Sequence, residues 1–243
     1  MSNVFGQNVD IDNEAKGGED IVGGFKIYPT DIYQAKIVNA YAENSGSSKA
    51  MGLHLELELS GHGKYRETIW VSNGQGQNYY TDKNNEKRTL PGFNEANALA
   101  YLAANKALSE LAASPIVIKV KDRELDAEVN KTVQSFPELI GKNIAICLAH
   151  QIVNRNAKNE STGKYEPTAE TREENRIEKI LREDGVTFNE FQANDTSLKF
   201  ATEWKKVNEG KVFNRVKQVA GATAGTAAGG TGAASGGLFS KPN

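Results

Sequence analysis

Residues 52–73, "GLHLELELSGHGKYRETIWVSN", decide the fold. Leu53, Leu55, Leu57 and Leu59 share one side of an extended chain, and His54, Glu56 and Glu58 share the other. That strict alternation is the mark of a strand with one face on a core and one in water. "SGHG" (60–63) makes a tight turn, and the alternation resumes with Tyr65, Ile69 and Val71 on one face and Arg66, Thr68 and Trp70 on the other. Trp70 then either covers a neighbouring element or stands open beside Arg66.

Working outward, "IYQAKIVNAYAE" (32–43) alternates Tyr33, Ala35 and Ile37 with Gln34 and Lys36 and predicts a first strand. "NEANALAYLAANKALSEL" (94–111) changes period. Ala96, Leu99, Ala100, Ala103, Ala107 and Leu111 form a helical stripe, with Asn94 as candidate N-cap, Glu95 in the first turn and Ser114-Pro115 as the stop. "PIVIKVKDRELD" (115–126) and "NIAICLAHQIVNRN" (143–156) read as strands, with a short helical turn at "FPELIGK" between them. Three strands, a helix, then two strands is the element order of the OB-fold, a five-stranded barrel with one helix between strands three and four. The expected class is therefore mainly β with flanking helices.

The remaining segments are less regular. "TREENRIEKILREDG" (171–185) places Ile177, Ile180 and Leu181 at i, i+3, i+4, a spacing that favours helix, with a strand through 176–181 as the alternative. "NDTSLKFATEWKKVNEG" (194–210) predicts a helix capped by Asp195 and striped by Phe200, Trp204 and Val207. Residues 1–27 read as an acidic flexible arm and 216–243 as a Gly/Ala-rich flexible tail ending in an apolar tip at Leu238 and Phe239, which leaves 28–215 as one domain.

The chain has 243 residues, enough for one large domain with tails, and its net charge of −2 gives no global field for a polyanion; a local basic groove needs none. Cys147 is the single cysteine, so no intramolecular disulfide forms, which suits a reducing compartment. No secretory signal or spanning segment is read, so a cytoplasmic location is expected.

An enzyme needs a constellation, and none is read. No phosphate-binding P-loop occurs, and "GQG" at 74–76 is too short for a dinucleotide fingerprint. His54, His62 and His150 sit in no metal-binding frame, and Cys147 and His150, three apart on a strand, face opposite ways. Glu56 and Glu58 read as solvated strand carboxylates. No cofactor and no metal are expected.

Single-stranded nucleic acid asks for flat rings for bases and a cationic track for phosphates. "SNGQGQNYYTDKNNEKRTLPGF" (72–93) combines both in a long polar loop: Tyr79 and Tyr80 are followed by Lys83, Lys87 and Arg88. One tyrosine can instead fold back on the barrel. Arg66 and Trp70 add to the track, as do Lys119, Lys121 and Arg123 on the fourth strand, and Arg155, Lys158 and Tyr165 after the fifth. Taken singly, each lysine reads first as a solvated surface charge, and Asp122, Glu124, Asp126 and Glu128 are interspersed.

The stretches "IYQAKIVNA", "MGLHLELEL", "KYRETIWVSN" and "YYTDKNNEKRTLPGFNEANAL", with the Gly/Ala-rich tail and its hydrophobic tip, resemble the phage replication-module proteins that bind single-stranded DNA. The resemblance implies an OB-fold that coats single-stranded DNA during phage replication or recombination in the host bacterial cytoplasm, with phage or host replication and recombination proteins as partners for the tail. It has one departure. Such proteins usually end in an acidic tip, whereas 210–243 carry Lys211, Arg215, Lys217 and Lys241 and no acid. Two rival readings stand beside it: a protein–protein adaptor or recombination mediator working through the Phe200–Trp204–Val207 stripe and the tail, and a metal-dependent nuclease.

Overall fold

The computed structural model describes residues 26–46, 48–122, 127–163 and 165–219. The strands are β1 (Asp31–Asn44), β2 (Met51–Leu59), β3 (Gly63–Trp70), β4 (Tyr79–Thr81), β5 (Lys87–Thr89), β6 (Ser114–Asp122), β7 (Ala127–Ser135), β8 (Asn143–Lys158), β9 (Tyr165–Arg182) and β10 (Val212–Asn214). The helices are α1 (Pro91–Ala104), α2 (Phe188–Gln192) and α3 (Lys199–Asn208). The mainly β, antiparallel architecture agrees with the sequence reading. The described residues hold ten strands rather than five.

β1, β2 and β3 form a meander with Leu53 opposite Ile69 and Leu57 opposite Tyr65. The first half of β1 pairs with β8, from Asp31↔Leu148 to Lys36↔Asn143, and its far end touches β7 at Tyr41↔Ser135. β9 runs along the other edge of β8, and β10 lies parallel to β8 at 150–152. β6 and β7 pair along nine positions, Ser114↔Ser135 to Asp122↔Ala127, as a hairpin attached to β1 only near its base. Among the described residues no backbone ladder joins β3 to β9, so a closed barrel is not what the strand pairing gives.

The alternation of the meander does what its pattern predicts. Ile37, Leu53, Leu57 and Leu59 are fully buried and meet Leu99 of α1 with Ile144, Ile146 and Leu148 of β8. The unbroken apolar run of β8 has its own cause. Ile144, Ile146 and Leu148 face this core, while Ala145 and Cys147 face a second cluster with Leu181, against which Ile32, Phe200, Ala201 and Trp204 pack. A strand covered on both faces loses the polar half of its pattern.

Several sequence expectations are corrected. Residues 165–182 are strand throughout, so of the two readings of 171–185 the helix is wrong and the strand is right, and the strand extends well beyond 176–181. α1 begins at Pro91 with Leu90 as an N-cap that makes no side-chain bond, so Asn94 is not the cap; proline at the first position has no N–H to leave unpaired. The helix stops at Ala104, well before Ser114-Pro115, because Asn105 takes the left-handed conformation and returns its N–H to the Tyr101 carbonyl. Leu198, not Asp195, precedes α3; Asp195 accepts the Ser197 N–H instead. The stretch at 72–93 contains the β4–β5 hairpin, so it is not a long loop throughout. β7 went unread, because most of its side chains are exposed and only Val133 and Ser135 are buried.

Candidate nucleic-acid interface

The outward side chains of β1, β2 and β3 form rows across the strands. Tyr41 stands opposite His54, and His54 opposite Thr68. The two rings stack at 4.9 Å with 3° between their planes, and the Thr68 hydroxyl lies 3.0 Å from His54 Nδ1. Burial holds the His54 pKa below its ordinary value, with nearby Glu43 pulling the other way. The imidazole is therefore neutral at pH 7 and offers a flat face rather than a charge. The sequence signal for this pair was its position, two rings on the polar face of adjacent strands, but His54 alone reads as an ordinary outward residue.

Gly52 and Trp70 are the next cross-strand pair. A Cβ at Gly52 would stand 2.7 Å from Thr68 Cγ2 and 3.3 Å from Trp70 Cζ3, so a side chain here would displace the Thr68 methyl and crowd the edge of the indole that lies over the strand. Trp70 remains 48% exposed, enough ring for a base to cover. Arg66 follows on the same face, donating to Glu56 at 2.9 Å, and Lys64 shares that carboxylate at 3.7 Å.

β6 forms the second wall of this face. Between Ile118–Val120 and the rows just described lies a groove of about 440 Å³, with Arg66 and Lys119 on its two sides. Lys119 is paired with Glu128 at 3.7 Å. Both basic residues thus have acidic partners, but exposed ion pairs contribute about 0–1 kcal/mol and exchange readily for a phosphate.

Arg66 and Trp70 also border a wider cleft of about 700 Å³ between β3, the start of α1 and β9. Its far wall carries Arg172, Glu174 and Arg176, alternate residues on one face of β9, with Arg172 donating to Glu174 at 2.7 Å. The sequence reading names neither arginine, because with helix and strand both open for this segment no face can be assigned to them. Two carboxyls lie at the base. Glu67 Oε2 accepts the Tyr65 hydroxyl at 2.6 Å and the Ile177 N–H at 2.8 Å. Burial raises the Glu67 pKa, and burial followed by the charge of Glu67 raises Glu95 to about 7.

The other expected site residues form two separate groups. In the β4–β5 hairpin, Lys87 Nζ sits 4.5 Å over the Tyr79 ring, which is half-buried, while Tyr80 is exposed. Arg88 is held by Asp82 and Glu86, and Lys83 stands exposed in the turn, whose backbone N–H groups at Asn84 and Glu86 donate to Asp82. None of these residues lines the groove or the cleft. At the far end of the β8–β9 hairpin, Tyr165 is opposite Lys158 and 72% exposed, with Arg155 exposed nearby. Tyr165 and Arg172 pair with Lys158 and Val153, which are five steps apart on β8, so roughly 17 Å of sheet separates them.

Lys121 is paired through its backbone with Glu128 on β7. Arg123, Leu238 and Phe239 lie outside the described residues, as do most of the acidic arm and the end of the tail. Among the described residues no three His, Cys, Asp or Glu side chains gather as a metal site. Cys147 is fully buried, and desolvation pushes its thiol up to about 12. Among the described residues no helix is long and apolar enough to cross a membrane.

No family model matches the chain, and no curated protein is similar to it in sequence.

Proposed function

We propose that this protein binds single-stranded DNA without regard to sequence and without catalysis, on the outer face of β1–β3 and along the wall formed by β6. The observation that carries the proposal is the exposed Trp70 indole. It lies on glycine beside Arg66 and in the same sheet face as the Tyr41–His54 stack. Bases stack on any flat ring with little sequence preference, each stack contributing ~1–3 kcal/mol, while Arg66, Lys119, Arg172 and Arg176 are placed to meet phosphates. The chain order of β1, β2, β3, α1, the β6–β7 hairpin and β8, with β1 shared between β2 and β8, supports an OB-like barrel in which the ladder between β3 and β9 is replaced by side-chain bonds. The resemblance to phage replication-module proteins extends the proposal to DNA replication or recombination in the host bacterial cytoplasm, with replication and recombination proteins as partners for the tail.

The chain has two tryptophans, so Trp204→Phe leaves Trp70 as the sole reporter. Titration with oligo-dT at low and high salt is expected to quench it, with affinity falling as salt rises because phosphate neutralisation releases counterions. An emission unchanged by oligo-dT at low salt would overturn the proposal.

A further inference from the structure

Helix α3 uses only part of its apolar face. Phe200 and Trp204 pack on the small cluster of Ala145, Cys147 and Leu181, but no residue of α3 is buried and Val207 is 52% exposed. Beside the helix is a hollow of about 600 Å³ floored by Phe200, Trp204 and Val207. Its rim holds Glu190, Asp195 and Glu203 against one cation, Lys199. Glu190 and Asp195 are held below the usual carboxylate range, Asp195 by the Ser197 N–H and Glu190 by the N–H groups of Thr187 and Phe200, so the rim is negative at neutral pH. The hollow shares no residue with the groove or the cleft proposed for DNA.

The sequence supplies a complementary segment. Between Ala220 and Asn243 the large apolar side chains are Leu238 and Phe239, and the only charged side chain is Lys241. Everything from 220 to 237 is Gly, Ala, Ser or Thr. We propose that Leu238 and Phe239 seat on the α3 hollow of their own chain, with Lys241 against its acidic rim.

The linker is long enough. The chain leaves α3 at Asn208 and runs along β8, where the Arg215 N–H donates to the Ile152 carbonyl and the Lys217 N–H to Asn154 Oδ1. The stretch from Asn208 to Val219 spans at most roughly 40 Å. Eighteen residues, the length of 220–237, can reach up to about 60 Å, and a Gly-rich sequence of that length has a root-mean-square span of about 25 Å. Tethering of this length gives an effective concentration of about the millimolar range, so a weak contact between two apolar side chains and a shallow hollow is sufficient within one chain. A second copy would have to supply its tail at far lower concentration.

The test uses the full chain with Trp70→Phe, which makes Trp204 in the hollow the sole tryptophan, and compares it with the same chain carrying Leu238→Ala and Phe239→Ala. The alanine pair is expected to red-shift Trp204 emission and speed its quenching by acrylamide. A synthetic peptide of residues 236–243 should restore protection to that variant, and the corresponding alanine peptide should not. Val207→Asp, at an exposed position, should reproduce the alanine pair without lowering the melting temperature. Identical quenching of parent and alanine pair would overturn the proposal. Protection that grows with protein concentration would overturn the intramolecular form and assign the hollow to the tail of a second copy.

Discussion

The Glu67 side chain accepts the backbone N–H of Ile177 at 2.8 Å, joining β3 to β9 where the described residues show no ladder. The same oxygen takes the Tyr65 hydroxyl at 2.6 Å, and that hydroxyl also reaches the Asn175 carbonyl at 3.3 Å. Glu67→Ala leaves the buried Ile177 N–H unpaired and removes two hydrogen bonds to a carboxylate. The expected loss is about 2–4 kcal/mol of unfolding free energy, read from urea denaturation at pH 7. A loss under about 0.5 kcal/mol, the size of an ordinary surface substitution, would show that this bridge does not hold the seam.

Glu95 gives the fold a pH dependence of definite sign. Its pKa rises from 4.5 to about 7, and Oε1 has no hydrogen-bond partner among the described residues. In the unfolded chain the carboxyl ionises at its ordinary value; in the folded chain it stays protonated up to about 7. Its favourable contribution is therefore full below about pH 4.5, is lost as pH rises to about 7, and is flat above that. Glu67 shifts in the same direction. Glu95→Gln cannot ionise, so it should match the parent near pH 4 and exceed its stability by up to about 3 kcal/mol at pH 8. A difference between the two that stays constant from pH 4 to pH 8 would contradict the raised pKa.

Trp70 should matter for binding and little for folding. Replacing an indole that is 48% exposed by alanine removes a stacking platform rather than a piece of core. Trp70→Ala is expected to weaken oligo-dT binding by about 1–3 kcal/mol, as followed by the anisotropy of a labelled oligonucleotide. Tyr80→Ala, on a hairpin outside the groove, should have the smaller effect of the two. The reverse order would move the principal stacking site to the β4–β5 hairpin.

Gly92 ties the helix to the binding face. A Cβ at this position would lie 2.2 Å from the Trp70 carbonyl oxygen, so a side chain here forces the start of α1 away from the end of β3. Gly92→Ala should cost about 1–3 kcal/mol of stability. It should also lower oligo-dT affinity, because Trp70 moves with the strand end. Gly46→Ala is the control, since an added Cβ there meets nothing within 4 Å. Equal melting temperatures for the two variants would argue against the close approach.

Much of the sheet was legible in the chain because period two survives wherever one face is wet. Leu53, Leu55, Leu57 and Leu59 are all buried, and Arg66 and Trp70 are exposed beside them. The helix-like spacing within β9 has a geometric cause. Cys147 pairs with Lys179 and Leu148 with Ile177, so Glu178 is an extra residue in the strand. That bulge returns Ile177 and Ile180 to the same core, a spacing of three that imitates a helix. Leu181 completes the imitation because it points into the second cluster, under α3. On the binding face, Arg66 and Trp70 were readable from strand parity alone. The Tyr41–His54 stack depended on the register between two strands, and Arg172 and Arg176 on β9 being a strand, neither of which a single sequence supplies.

The double role of β1 sets an order on the birth of the molecule. Its first half needs β8 as a neighbour, yet Asn143, the partner of Lys36, follows the whole β2–β7 stretch in the chain. At ribosomal speeds of about 5–20 residues per second, the interval between the two is on the order of 5–20 s. Throughout that time the meander presents an unpaired edge, with Asp31 and Lys36 as its charged positions, the kind of residue that keeps a bare edge from recruiting another nascent chain.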